Sequence, residues 1–154
     1  PAPAPLPLTK VREIFFGRFY STEHWLIMAD SKAAQGKTED AVGLIQSGIR
    51  AHPRDYSLWV GLGNALVDHA RGLTPAAELA YAKAKQIAPN APAPDYFLGL
   101  AKLRSGDLDG ARTTWSDLLA RAPAGAQWRA PVADGIKLID GMQAGASGAP
   151  AQQP

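Results

Sequence analysis

Three stretches decide the fold: GKTEDAVGLIQSGIRAHP at 36–53, GLTPAAELAYAKAKQIAP at 72–89 and GDLDGARTTWSDLLARAP at 106–123. Each runs 18 residues from glycine to proline without a gap. Ala41, Ile45, Gly48 and Pro53 align with Ala77, Tyr81, Ala84 and Pro89, and again with Ala111, Trp115, Leu118 and Pro123. The first three of each set are spaced for one face of a helix. A small residue there admits a neighbouring helix, the large one fills the gap, and the proline ends the unit.

A second periodic element precedes each stretch. Trp25, Met28 and Ala29 recur as Trp59, Leu62 and Gly63, then as Asp95, Leu98 and Gly99. This is again the spacing of one helical face. Ala29 to Gly36 and Gly99 to Gly106 are both seven residues, but Gly63 to Gly72 is nine, so the middle unit carries a two-residue insertion at the end of its first helix, in LVDHARG. Each unit therefore reads helix, glycine turn, helix, proline. Thr38 before Glu39-Asp40, Thr74 before Pro75, and Asp107 suit the starts of the second helices.

Two flanking helices are expected. TKVREIFFGRFY places Val11, Ile14, Phe15 and Phe19 along one side and reads as a packing helix that closes the first unit. WRAPVADGIKLIDGM places Trp128, Val132, Ile136 and Ile139 on a stripe that should cap the third unit. The expected organisation is a Pro/Ala-rich tether at 1–8 and a repeat domain at 9–143. Its units fall at about 22–55, 56–91 and 92–125, its capping helix at about 128–143, and a disordered tail follows at 144–154. PAPAPLPL reads as a tether following an absent upstream part.

Composition bounds the rest. A chain of 154 residues and 16.3 kDa suits one domain with a real core. It has no cysteine, which excludes disulfides and cysteine-based metal or redox sites. Sixteen basic residues against fourteen acidic ones leave a net charge of +2, too small for a nucleic-acid footprint. No run is long and apolar enough to span a bilayer. His24, His52 and His69 show no metal-ligand spacing and suit surface or capping roles. No G-x-S-x-G or P-loop occurs, so neither catalytic nor metal-binding residues are assigned, no cofactor is expected, and the protein is read as a non-enzyme.

The pattern resembles the tetratricopeptide repeat (TPR), a helix-turn-helix of 34 residues with Trp-x-x-Leu-Gly early and proline at its end. WVGLG at 59–63 matches closely; Asp95 departs from the usual aromatic, with Tyr96 and Phe97 expected to fill part of that space. The resemblance implies an all-α right-handed superhelix of three TPR units between an N-terminal packing helix and a C-terminal capping helix. The ligand-facing positions of that family fall here on the first helix of each unit. They mark a groove for an amphipathic helix or extended peptide, with Leu26, Asp30, Val60, Asn64, Val67, Tyr96, Leu100 and Arg104 as candidate binding residues. Asn64 is expected to bond a peptide amide and Arg104 a carboxylate. Leu26, Val60 and Gly61 stand where the chaperone carboxylate clamp needs polar or basic groups, which argues against a heat-shock-protein adaptor.

A narrower resemblance covers residues 9–142. FFGRF, HWLIMADSKAAQGKTEDAVGLIQSGIRAHPRDYSLWVGLGNALVDHARG, LTPAAELAYAKAKQIAPNAPAPDYFLGLAKLRSGDLDGA and WRAPV are similar to the periplasmic TPR domains of cytochrome c maturation proteins, the CcmI/CycH type with its relative NrfG. That resemblance implies a periplasmic domain tethered to the bacterial inner membrane, touching the membrane only through a missing upstream anchor. Its partners would be apocytochrome c, held by its C-terminal helix, and the haem ligation machinery, with no nucleic acid. The alternative is a TPR scaffold assembling another envelope complex. A hydrolase or transferase on the same fold would need clustered ionisable residues that this spacing does not show.

Overall fold

The computed structural model describes Arg12, residues 14–16 and residues 22–147. Seven helices follow the described N-terminal residues: α1 (Glu23–Ala34), α2 (Thr38–Ala51), α3 (Tyr56–Ala70), α4 (Pro75–Ile87), α5 (Ala93–Arg104), α6 (Leu108–Ala120) and α7 (Arg129–Ser147). Arg12 and residues 14–16 are also helical. No strand occurs among the described residues. The fold is an all-helical array of three helical pairs, α1/α2, α3/α4 and α5/α6, with α7 packed on α6.

The repeated positions do the work that their spacing predicts. Ala41, Ala77 and Ala111 are buried, as are Ile45, Tyr81 and Trp115 one turn later. Tyr81 lies against Gly63 and Trp115 against Gly99, so close that a methyl group on either glycine would overlap the ring. The second helix of each pair therefore seats its large residue on the backbone of the first. The first helices touch in series, α1 with α3 and α3 with α5, and form one continuous layer. Burial of side chains such as Leu26, Ile45, Leu58 and Leu118 supplies about 1.5–3 kcal/mol each.

Turn chemistry explains where the helices stop. Gly36 and Gly106 take φ of +78° and +83°, a left-handed conformation that ends α1 and α5. The middle unit differs from expectation. Its inserted residues lengthen α3, and Arg71, not Gly72, takes the left-handed position at φ 61°. Thr74 accepts a bond from the Ala77 amide at 3.2 Å, and Asp107 accepts from the Gly110 amide at 2.9 Å, both as N-caps. Thr38 is not a cap. It is the first residue of α2, and its hydroxyl meets His69 Nδ1 at 2.8 Å instead, tying the first unit to the insertion.

The flanking segments are partly as expected. Val132 and Ile139 of α7 are fully buried against the third unit, with Trp128 and Ile136 beside them. The helix continues to Ser147, so residues 144–147, expected in the tail, are helical. The tether at 1–8, residues 148–154, Val11 and Phe19 lie outside the described residues. The N-terminal segment does not simply close the first unit. Its described side chains reach α1, α3 and α5.

Candidate peptide-binding groove

The layer of first helices carries the candidate groove. At one end, Leu26 and Asp30 of α1, Ile45 of α2, and Asn64 and Asp68 of α3 surround a small cleft that Arg12 helps to line. Its free space is about 20 Å³, roughly enough for one water molecule. Gly61 is essential to this closeness, since a methyl group there would stand 2.3 Å from Leu26.

Charge is concentrated at this end. The Arg12 guanidinium grips both carboxylate oxygens of Asp30, with Nη1 to Oδ1 at 3.1 Å. Such forked pairing is the strong form of the interaction. Arg104 of α5 donates to Asp68 of α3, linking the second and third units. Burial pushes the Asp68 carboxyl above the usual aspartate range; Arg104 opposes this, and the nearby Asp30 charge adds to it. The Tyr81 hydroxyl donates to Asn64 Oδ1 at 2.7 Å in a buried bond. Burial also pushes the Tyr81 phenol well up, so it stays a donor at all ordinary pH values.

The other end is aromatic. Tyr96 stacks on Trp115 with ring centres 5.7 Å apart, and Phe97 meets Tyr96 edge-on at 5.3 Å. Phe15 covers this shelf, 4.5 Å from Tyr96 and 5.8 Å from Phe97. Phe16 lies 5.4 Å from Tyr56 at the start of α3. The groove thus offers an acidic socket, an apolar floor and an aromatic shelf.

The tetratricopeptide repeat family pattern matches residues 28–92, across two of the three helical pairs just described. Residues 28–92 are tetratricopeptide repeats. The chain is similar to the cytochrome c-type biogenesis protein CycH of Bradyrhizobium diazoefficiens, at 32% identity over 118 residues. That stretch is 76% of the chain and 32% of the relative, so the chain spans about a third of the curated protein it matches. Among solved structures it is similar to PcrH in complex with the chaperone-binding region of PopD (TM-score 0.58, 22% identity, 79% of this chain and 92% of that one). The type III secretion translocator chaperone SycD of Yersinia enterocolitica is also similar (TM-score 0.57, 19% identity, 80% and 86% covered). At these identities the two structures speak for the TPR fold alone.

The TPR frame places the eight candidate residues unevenly. Leu26, Val60 and Val67 are 1%, 1% and 2% exposed and belong to the core. Asp30, Leu100 and Arg104 are partly exposed, while Asn64 and Tyr96 are buried at 7% and 9%. The polar three were expected to meet a ligand directly. Instead Asp30 holds Arg12, Asn64 accepts from Tyr81, and Arg104 holds Asp68. The Asp95 departure from the repeat pattern is now explained. Its carboxylate receives Lys85 of α4 at 3.0 Å and Arg121 beyond α6, an ionic clasp where other units use an aromatic ring.

Two residues central to the TPR groove escaped the sequence reading. Arg12 precedes Phe15 by three residues, a same-face spacing, but a single arginine beside an apolar stripe does not advertise its seat. Asp68 lies 36 residues from Arg104, and their pairing depends on how two units stack.

Proposed function

We propose that this TPR domain holds a helical segment of apocytochrome c, presenting it for haem ligation on the periplasmic side of the bacterial inner membrane. The observation that carries the reading is the match to CycH, which runs through the groove-forming repeats. The groove chemistry supports a helical client, because an apolar floor and a few fixed charges suit an amphipathic helix. In this reading the domain acts by binding its client. No described helix is long and apolar enough to cross a membrane.

The test is calorimetric titration of the full chain with a synthetic C-terminal helix of a c-type apocytochrome from the same organism, against a scrambled peptide. Saturable binding that Leu100→Ala weakens is the expected result. No binding to a folded chain would reassign the domain to a scaffold for another envelope complex.

A further inference from the structure

One short stretch of the chain already sits where a client helix would lie. Arg12 reaches Asp30 on α1, Phe16 meets Tyr56 on α3, and Phe15 covers Tyr96 and Phe97 on α5. A segment that merely closed the first repeat would touch the first pair alone. This one touches the first helix of every repeat. Arg12 and Phe15 are three residues apart and Arg12 and Phe16 four, so all three side chains fall on one side of a helix. Ile14 is 41% exposed.

The chemistry of the seat is specific. Arg12 is only 4% exposed, and a charge removed from water to that degree requires a fixed partner. The socket requires the cation in return. It holds two aspartates, Asp30 and Asp68, near enough for one to disfavour ionisation of the other, and Arg104 neutralises only Asp68. Without Arg12 the socket carries an unbalanced negative charge. At the far end, Phe15 completes an aromatic stack founded on Trp115. The cleft beside Arg12 has about 20 Å³ of free space, roughly one water molecule's worth, so a client side chain enters this socket only where the Arg12 side chain leaves it.

We propose that the side chains of Arg12, Phe15 and Phe16 are an internal stand-in for the client, and that the groove selects helices carrying a basic side chain three residues before an aromatic pair, which bind by displacing them. The proposal rests on the reading of this layer as a peptide groove but not on the identity of the client. A tethered competitor acts at high effective concentration. The intrinsic affinity of the groove is thus reduced by the small fraction of chains in which it stands open. Client binding becomes selective for segments that reproduce both anchors.

The test uses a labelled peptide of residues 9–20, TKVREIFFGRFY, titrated into the full chain and into its Arg12→Ala/Phe16→Ala variant. The variant should bind the peptide at least about tenfold more tightly. A peptide with glutamate in place of its first arginine should bind the variant poorly, and should recover on adding Asp30→Arg. Equal binding to both chains, or indifference to the arginine, would overturn the proposal. A second measurement avoids any folding defect in the variant. The chain has no cysteine, so Ile14→Cys takes a single dye at an exposed site. Its anisotropy should fall as the 9–20 peptide or the apocytochrome helix saturates the groove. Binding of either with unchanged anisotropy would refute displacement while leaving the client reading intact. Binding of the 9–20 peptide without binding of the apocytochrome helix would refute the client and leave the displacement standing.

Discussion

Gly99 lies directly under the indole of Trp115, and a methyl group built on it would stand 2.2 Å from Nε1. The ring cannot retreat. Gly135 of α7 presses from the other side, where a methyl group would stand 2.4 Å from Cζ3, and Nε1 donates to the Tyr96 carbonyl at 3.0 Å. One tryptophan thus joins the third pair to its cap and supports the aromatic shelf. Gly99→Ala should cost about 1–3 kcal/mol through overpacking, read as a lower urea midpoint. An unchanged midpoint would show that the indole has room to shift. The equivalent position in the first unit is already Ala29, and the residue matching Trp115 there is the smaller Ile45.

The bond from the Tyr81 hydroxyl to Asn64 Oδ1, 2.7 Å long and buried, fixes the floor of the groove. Tyr81→Phe removes the donor and leaves a buried acceptor unsatisfied. The expected cost is about 1–2 kcal/mol. A double-mutant cycle with Asn64→Ala should show that the two losses are not additive. Strict additivity would mean that the bond contributes nothing to stability.

Local periodicity made the three helical pairs legible, because each unit repeats its small residue, its large residue and its terminal proline at fixed spacing. Thr74 and Asp107 were legible as caps for the same reason: a cap bonds amides two or three residues away. What stayed hidden depends on distant parts of the chain meeting. The Thr38 hydroxyl pairs with His69, 31 residues on, and Arg12 meets Asp30, 18 residues on. Asp68 and Arg104 are 36 residues apart and meet only because consecutive units stack. The polar candidates Asp30, Asn64 and Arg104 lie on the first helices of their units, and the fold pairs each of them internally. Leu26, Val60 and Val67 lie on the expected helices yet serve the core, since spacing alone does not tell a floor from a lining.

Arg71 shows how the middle unit absorbs its insertion. Its φ of 61° is left-handed, a conformation that costs a residue with a Cβ more than it costs glycine. The neighbouring Gly72 amide bonds back to the Val67 carbonyl at 3.0 Å, closing the helix end. Arg71→Gly should stabilise the chain by a few tenths to about 1 kcal/mol, the relief of strain outweighing the greater freedom of the unfolded chain. A lower melting temperature for the variant would mean that the Arg71 side chain contributes contacts worth more than the strain.

Asp68 gives the groove a pH signature with a definite sign. Burial raises its carboxyl above the ordinary aspartate value despite the Arg104 partner. The folded chain therefore keeps a proton on Asp68 at pH values where the unfolded chain has released it. Its contribution to stability is fully present below the unfolded value and is lost as pH rises through the higher folded value. Relative to Asp68→Asn, which does not titrate, the unsubstituted chain should lose stability as pH rises from about 4 through that window. Urea midpoints of both chains across the window measure the difference, and carbon-detected titration of the Asp68 carboxyl locates its midpoint. A relative gain of the unsubstituted chain with rising pH would mean that the Arg104 pair outweighs burial. The socket would then hold its negative charge readily, and Arg12 would be answering two settled carboxylates instead of one.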